Sequence, residues 1–414
     1  MLNWLTPDGR LILAAKTVRT FGYGLMSVVL GLYLDRAGYA PTVVGAILSA
    51  SLAGSALLTL FAAARADRFG RRRTLVLSTV LMAGSGLVFA FSQNVWALVL
   101  AALSGTVSAT SGEVGPFESV EHAILPQTTP PEQRNRIFGW YNTLAALAVA
   151  VGALAAGLPA WLNGAFGMDP ATGYRLMFAG YSVSALLSGA ILLRLSPAVE
   201  LAHPPADAPE PRSGGLRRSR GTVARLSALF ALDAFGGGFV VQSFIAYWFA
   251  LKFNAGSEVL GPVFFGVNVL KAISYPLAVR LAGRIGLINT MVFTHLPSNV
   301  LLMLIPLMPS LGAAVALLLV RHLLSQMDVP ARGSYVMAVV DPGERTAAAG
   351  LTTLARTAAQ AISPAVAGVA LGWMSGLAAP FLLGGAIKIV YDLSLFNQFR
   401  RLKPADELAP EAAQ

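Results

Sequence analysis

The residues best able to do chemistry in this chain are ionisable side chains that interrupt long apolar stretches. An ionised side chain at membrane depth costs ~2.5–3.5 kcal/mol on insertion scales, so it must face a partner or a cavity. The first apolar stretch carries polar residues at i, i+3, i+4 and i+7, which form one helical face: Lys16, Arg19, Thr20 and Tyr23. This face predicts a surface that binds a polar ligand or holds counter-charges.

A second stripe of polar residues lies late in the chain and has helical spacing. Its members are Arg321, Ser325, Asp328, Arg332 and Tyr335. Asp328 precedes Arg332 by four residues, so the two side chains can pair on one face and keep Asp328 ionised. We therefore expect Asp328 to be a poor proton carrier. Lys271 shares a helical face with Tyr275, and we expect it to contribute to the same interior surface.

An internal repeat relates the two parts of this pattern. Residues 21–24 resemble residues 235–238 at an offset of 214, and further along the chain the offset becomes 211. At 214, Arg19 corresponds to Asp233 and Glu118 to Arg332, so each half has one acid and one base with the signs exchanged. We predict that these four residues form ion pairs around a central site, with Glu118 and Asp233 as proton carriers. Fixed pairs that only neutralise one another are the alternative.

Other ionisable residues in the apolar stretches are expected to matter less. Glu121 is expected toward the cytoplasmic end of its span, where solvent screens it, and His295 is expected to have a packing role. Lys388, Arg356 and Asp392 are expected at the periphery.

The composition indicates which elements must position these residues. The chain has 414 residues, of which 55% are hydrophobic and 12% are charged, whereas soluble globular proteins carry about 25% charged residues. Residues 74–112, 137–168, 285–320 and 357–387 contain no Asp, Glu, Lys or Arg. At about 20 apolar residues per crossing, we predict an all-α integral membrane protein with twelve transmembrane helices: 11–34, 41–64, 75–92, 95–124, 137–162, 173–195, 225–251, 257–282, 289–308, 311–340, 346–373 and 378–397.

The predicted helices divide into two groups of six. Residues 197–224 are rich in Pro, contain Gly214 and Gly215 and end in a basic cluster, which is typical of a flexible linker. We therefore predict an N-terminal six-helix bundle at 1–196, a cytoplasmic linker at 197–224, a C-terminal six-helix bundle at 225–400 and a cytoplasmic tail at 401–414. Because six spans repeat in one orientation, the bundles are expected to be pseudo-symmetric about the membrane normal.

The charge distribution indicates orientation and excludes several classes. The net charge of +10 is compatible with a nucleic-acid partner. However, the Arg residues concentrate in the even-numbered loops, as the positive-inside rule predicts. We therefore expect no nucleic-acid partner, a place in the cytoplasmic membrane and both termini in the cytoplasm. The chain has no Cys and no nucleotide-binding, metal-ligand or hydrolase motif, so we expect no enzyme activity, no metal and no cofactor.

The loop between the second and third predicted helices carries the most specific motif. It reads Arg65-Ala66-Asp67-Arg68-Phe69-Gly70-Arg71-Arg72-Arg73 and resembles the signature loop of the major facilitator superfamily, G-x-x-x-D-R-x-G-R-[RK]. Ala63 stands where that pattern has its first Gly, and the repeat copy keeps only Arg284 and Gly286. In the family this loop ties the halves together on the cytoplasmic side. The resemblance therefore implies a cytoplasmic gate motif at Asp67, Arg68, Gly70 and Arg71.

The resemblance also implies a fold and an activity. Family members have two bundles, and the helices equivalent to spans 1, 4, 7 and 10 line a central cavity. The residues expected at the central site are Lys16, Arg19, Tyr23, Glu118, Asp233, Lys271, Asp328 and Arg332. We expect a monomeric secondary active transporter in membrane lipid that moves a small-molecule solute by alternating access, coupled to protons, with efflux favoured over uptake. The alternatives are a non-transporting membrane receptor or sensor and a lipid flippase.

Overall fold

The protein is almost entirely helical. The structure is a computed structural model that describes residues 5–402, except 114, 131–132, 201–215, 217, 342–343 and 374–376. Within these residues there is no β-strand, and short 3-10 helices lie at Leu125–Gln127, Pro197–Val199 and Ile305–Leu307. The α-helices are α1 (Pro7–Arg36), α2 (Pro41–Phe69), α3 (Arg71–Phe91), α4 (Val95–Leu103), α5 (Phe117–Ile124), α6 (Arg134–Ala155), α7 (Leu158–Phe166), α8 (Pro170–Leu192), α9 (Arg220–Gly238), α10 (Gln242–Phe253), α11 (Ser257–Ile285), α12 (Leu287–Leu304), α13 (Leu311–Ser325), α14 (Asp328–Val339), α15 (Arg345–Trp373) and α16 (Ala379–Phe399).

Several helix starts follow from the local sequence. Helices α1 and α8 begin with Pro, which needs no backbone donor and has a φ suited to the first helical position. The residue before each Pro caps the helix: the Thr6 hydroxyl accepts a hydrogen bond from the Gly9 N–H at 3.3 Å, and Asp169 accepts one from Thr172 at 3.2 Å. These starts are therefore set by neighbouring residues rather than by long-range packing.

The helices are suited to a lipid environment. Eleven helical stretches in the described parts of the chain are long and apolar enough to cross a membrane. Large apolar side chains on the surface are widely exposed, including Phe91 (80%), Trp96 (76%) and Phe166 (70%). Contiguous surface of this kind is rare in a soluble monomer. The helix pairs α6–α7, α9–α10 and α13–α14 each make one broken span, and with α4–α5 as a further span the count agrees with the predicted twelve.

The fourth span is not the continuous helix predicted over 95–124. Helix α4 ends at Leu103, and α5 begins only at Phe117. Gly105 has a φ of +74°, which side chains with a Cβ rarely adopt, and Pro116 cannot donate a backbone hydrogen bond. The Ser and Thr residues between them have hydroxyls that compete with helical hydrogen bonds. The prediction of a continuous helix was therefore wrong.

Protein groups satisfy the backbone of this irregular segment. The Tyr181 hydroxyl donates to the carbonyl of Thr106 at 2.6 Å, and the Ser55 hydroxyl accepts from the Gly115 N–H at 2.8 Å. Irregular backbone at membrane depth is tolerated only when it is buried in protein or lines a cavity. The break also places Glu113 in a non-helical position beside α1.

Contacts between the helices group the described residues into two compact units. The first unit holds those of Met1–Asp207 together with Val241–Val269. The second unit holds those of Ala208–Val240 together with Leu270–Gln414. The seventh span is broken between α9 and α10, so its two parts belong to different units. The boundaries expected at 196 and 225 for the two bundles stay a prediction.

Packing inside each unit follows the same scheme. Helix α1 packs against α6 and α8 in the first unit, and α9 packs against α15 and α16 in the second. Glycines permit both close approaches: a Cβ at Gly24 would lie 2.1 Å from the Val149 carbonyl oxygen, and one at Gly238 would lie 2.0 Å from Ser363 Oγ. Because Gly24 and Gly238 are related by the offset of 214, the sequence repeat corresponds to a repeated packing arrangement.

Candidate functional site

The polar face of α1 lies at the centre of a buried ionic cluster in the first unit. Arg19 Nε donates to Glu113 Oε1 at 2.8 Å, and Arg19 Nη2 donates to both carboxylate oxygens of Glu121 at 2.9 Å. Lys16 forms an ion pair with Glu113, and the Tyr141 hydroxyl donates to Glu121 at 2.7 Å. We call these five residues the first ionic cluster. Its two cations and two carboxylates balance one another.

Aromatic rings cover the two cations of the first ionic cluster. The Lys16 ammonium lies 3.7 Å from the centroid of the Tyr141 ring, and the Arg19 guanidinium carbon lies 4.0 Å from that of Phe117. A desolvated cation over a ring face gains electrostatic stabilisation. These rings therefore help to stabilise buried charges that would be unfavourable in the lipid.

Glu118 does not take part in the first ionic cluster, which corrects the predicted pairing. The buried residues of α5 are spaced i, i+3, i+4 and i+7: Phe117, Val120, Glu121 and Ile124. Glu118 lies off this stripe, its side chain is 51% exposed, and its carboxylate lies 3.8 Å from the His122 imidazole. Glu121 is fully buried, contrary to the expected solvent screening. The apolar residues at 117, 120 and 124 are the sequence signal that selects Glu121.

Asp233 of α9 is the centre of a second cluster, in the second unit. Its carboxylate accepts a hydrogen bond from Arg332 at 3.0 Å, lies 3.5 Å from Arg356 and forms an ion pair with Lys388. Arg332 also pairs with Asp328 at 2.7 Å, as the i, i+4 spacing predicts. The members of this second ionic cluster are Asp233, His295, Asp328, Arg332, Arg356, Lys388 and Asp392.

His295 connects two buried carboxylates of the second ionic cluster. Its Nδ1 lies 2.8 Å from Asp392 Oδ1, and its Nε2 lies 3.7 Å from Asp233 Oδ1. The Asn299 amide donates to the other oxygen of Asp392 at 2.8 Å. Across the described residues, no group of three or more His, Asp or Glu side chains is arranged to hold a metal ion. His295 therefore links Asp392 and Asp233 within one buried set of ionisable groups.

The two clusters share one arrangement with the charge signs exchanged. Arg19 of the first span pairs with Glu121 of the fourth, and Asp233 of the seventh pairs with Arg332 of the tenth. The first members are related by the offset of 214, and the second members by 211. The offset therefore changes from 214 to 211 before Glu121. A single offset of 214 applied to the whole chain selects Glu118 instead, three residues earlier.

Several members of the second ionic cluster were not expected there. Lys388, Arg356 and Asp392 belong to it rather than to the periphery, and His295 has more than a packing role. The signal for two of them is local: Lys388 and Asp392 are spaced i, i+4 directly after an uncharged stretch. Lys388 pairs with Asp233 of α9 and Asp392 pairs with His295 of α12. These partners could not be read from the sequence, because they depend on which helices pack together.

Two other residues expected at the central site lie outside the two clusters. Tyr23 is completely buried, and its ring centroid lies 6.4 Å from that of Tyr181. Lys271 is partly buried on α11. A central-site role for both remains a proposal.

The signature loop forms a tight turn between α2 and α3. Gly70 has a φ of +105°, and its repeat counterpart Gly286 has a φ of +85°, so both positions use a conformation that favours glycine. Asp67 accepts a hydrogen bond from Arg71 Nε at 2.8 Å. Arg68 is exposed. The spacing of Asp67 and Arg71 thus provides a local pair across the turn.

Glu200 caps this turn, which the motif did not predict. Its carboxylate accepts hydrogen bonds from the backbone N–H groups of Arg71 at 2.6 Å and Arg72 at 3.1 Å, at the start of α3. A negative charge at a helix N-terminus is stabilised by the unpaired N–H groups and by the helix dipole. Glu344 holds the start of α9 in the same way, through the N–H groups of Arg218 and Ser219.

We predict that Glu200→Ala destabilises the protein by about 0.5–2 kcal/mol, the usual range for the loss of a helix cap. The expected result is a lower unfolding temperature of the detergent-solubilised protein. Glu258→Ala is the matched control, because Glu258 is also an acidic residue in or near a first helical turn. Equal unfolding temperatures for the two variants would contradict the capping role.

Comparison with known proteins gives the family. Residues 12–364 match the sequence profile of the Major Facilitator Superfamily. An uncharacterized membrane protein of Saccharomyces cerevisiae is 29% identical over 95% of this chain and 94% of its own length. The multidrug resistance protein MdtH of Aeromonas hydrophila is 26% identical over 86% of this chain and 81% of its own length. The crystal structure of a D-xylose-proton symporter has a TM-score of 0.70 at 14% identity, covering 94% of this chain and 97% of that chain.

The match to the family profile over most of the chain identifies a multi-pass membrane transporter rather than an enzyme. The chain belongs to the Major Facilitator Superfamily. It is accordingly a secondary transporter, and its ligands are small-molecule solutes.

Proposed function

We propose that this transporter couples solute movement to proton movement through the second ionic cluster. The observation that carries the proposal is the series Asp392, His295 and Asp233, in which one imidazole contacts a buried carboxylate through each nitrogen. An imidazole can accept a proton at one nitrogen and release a proton from the other. A small movement of the ring would bring Nε2 into hydrogen-bond distance of Asp233 and complete the path.

Protonation of Asp233 changes the charge balance of the cluster. Its carboxylate attracts Arg332, Lys388 and Arg356. While these cations are in place they keep the carboxylate ionised, so proton uptake by Asp233 has to accompany their separation. Once the carboxyl group is neutral, it no longer offsets the repulsion among them, which favours a state in which they are further apart. The proton thus supplies the differential free energy that a shift between two conformational states requires.

The first ionic cluster and the signature loop complete the proposed mechanism. We place Lys16, Arg19 and Tyr23 at the central site, with Glu121 in the role that was predicted for Glu118. Asp67, Arg68, Gly70 and Arg71 are proposed to form the cytoplasmic gate. The pair between Asp67 and Arg71 supports this assignment, because it braces the turn that the gate needs.

The proposed direction of transport is export from the cytoplasm. Similarity over 86% of the chain to a multidrug resistance protein supports it. The Arg-rich even-numbered loops support a cytoplasmic-membrane location with both termini inside. We further propose that the monomer is the working unit, since each repeat contributes one ionic cluster within a single chain.

Proton-linked flux in proteoliposomes tests the proposal. A thermal-shift screen of solutes at two pH values would supply the substrate, and a trapped pH-sensitive dye would report proton movement. We expect solute and protons to move together, and Asp392→Asn to slow the coupled flux by more than ~10-fold, equivalent to 1.4 kcal/mol in the barrier. Asp169→Asn is the control, because it removes a carboxylate from an exposed helix cap and leaves a residue that also caps well.

Three results would contradict this function. Solute flux that ignores an imposed pH gradient, with normal rates for Asp392→Asn, would remove proton coupling. Solute binding without flux would favour a receptor or sensor. Movement of labelled lipid between leaflets without solute flux would favour a flippase.

A further inference from the structure

Two cations of the second unit have no ion-pair partner in the described parts of the chain. Arg321 of α13 is buried, with 7% of its surface exposed, and Lys271 of α11 is partly buried. No carboxylate lies within ion-pair distance of either side chain among the described residues. Arg321 Nη1 lies 3.3 Å from His322 Nε2.

His322 does not provide a counter-charge for Arg321. Its Nδ1 lies 2.8 Å from the Leu318 carbonyl oxygen, which can only accept, so Nδ1 carries the proton. Its Nε2 is then the acceptor for Arg321 Nη1, and the ring is neutral. Arg321 Nε is also buried and has no hydrogen-bond partner among the described groups.

The carboxylates of the second ionic cluster are already paired. Asp233 is shared by Arg332, Arg356 and Lys388, and Asp328 is paired with Arg332. Asp392 accepts from Asn299 and contacts His295. A buried cation without an ion-pair partner is strongly unfavourable, and a bound anion would supply the missing charge. This excess of positive charge contrasts with the first ionic cluster, where the charges balance.

We propose that Lys271 and Arg321 form a subsite for the anionic oxygen group, a carboxylate or phosphate, of the transported solute. This inference rests on the proposed transport function and adds a substrate class to it. Arg321 offers Nε and its remaining N–H groups as a planar fork, which suits a carboxylate or phosphate. Lys271 supplies a second, more mobile charge. His322 holds the Arg321 fork in place without neutralising it.

Binding to the detergent-solubilised full chain tests the subsite. The probes are gluconate, glucose, inorganic phosphate and a short-chain phosphatidic acid, and the readout is the concentration dependence of the unfolding temperature. Gluconate carries a carboxylate on an open chain and glucose is an uncharged ring, so inorganic phosphate, which has no carbon chain, separates recognition of the anion from recognition of the chain. Phosphatidic acid separates a lipid headgroup from a free solute as the source of the charge.

We expect gluconate or phosphate, but not glucose, to stabilise the wild type, and Arg321→Gln and Lys271→Gln each to weaken this binding by at least ~10-fold. Arg280→Gln is the matched control, because Arg280 is an exposed cation on the same helix as Lys271. Without probe, Arg321→Gln should unfold at a higher temperature than the wild type, since an uncompensated charge is removed. A merely structural arginine would give the opposite sign.

Each outcome decides the proposal. Stabilisation by phosphatidic acid alone, with the same variant dependence, supports an anion subsite occupied by a lipid headgroup. Equal stabilisation by glucose and gluconate, unchanged affinity in both Gln variants, or no stabilisation by any anionic probe overturns it. If Arg321→Gln does not fold, Lys271→Gln decides. Proton-linked flux of a neutral solute without anion binding would overturn this inference and leave the proposed function intact.

Discussion

Asp233→Asn is expected to abolish coupled transport and to destabilise the second unit by about 3–5 kcal/mol, the usual loss when one partner of a buried ion pair is removed. The Asn side chain keeps nearly the same shape, but it removes the charge that Arg332, Lys388 and Arg356 share. Lys388 then remains buried without its carboxylate partner, and Arg332 keeps only its pair with Asp328. Solute flux in proteoliposomes and the unfolding temperature of the solubilised protein would measure the two effects.

A double-mutant cycle separates the ion pair from general damage. Lys388→Met removes one of the uncompensated cations, so Asp233→Asn together with Lys388→Met should be less destabilised than the sum of the two single variants. Asp169→Asn again serves as the exposed control. Wild-type flux and an unchanged unfolding temperature for Asp233→Asn would end the proposed role of this carboxylate.

Arg19→Ala is expected to have a comparable effect through the first unit. Truncation leaves Glu121 with only the Tyr141 hydroxyl and Glu113 with only Lys16. It also removes the guanidinium from the face of the Phe117 ring. We expect a loss of about 3–5 kcal/mol of stability and no measurable solute flux, tested by the same two assays.

A conservative substitution shows whether charge alone is sufficient. Arg19→Lys keeps the charge but has no planar fork, so it cannot bridge Glu113 and Glu121 in the same geometry, and it should recover only part of the stability. Arg175→Ala is the matched control, since Arg175 is exposed. If Arg19→Ala behaves like Arg175→Ala in both assays, the first ionic cluster has no essential role.

Much of the architecture is predictable because lipid restricts the possible structures. Backbone groups in the bilayer must be satisfied within helices, so uncharged stretches of sufficient length identify the spans. The same restriction identifies Lys16, Arg19 and Asp233 as candidate site residues, since a charge in such a stretch needs a partner. The Asp67–Arg71 pair and the Asp328–Arg332 pair were also accessible, because i, i+4 spacing is local.

The sequence by itself determined the spans, the family and the polar faces, since composition and helical periodicity are properties of neighbouring residues. Only the tertiary structure decided the partners of the buried charges. The three residues from Glu118 to Glu121 turn the direction of the side chain by about 300°, which is about 60° short of a full helical turn. The irregular segment before α5 sets that rotation, so Glu121 faces Arg19 and Glu118 does not. The same reason applies to Lys388, whose place beside Asp233 depends on how α9 packs against α16.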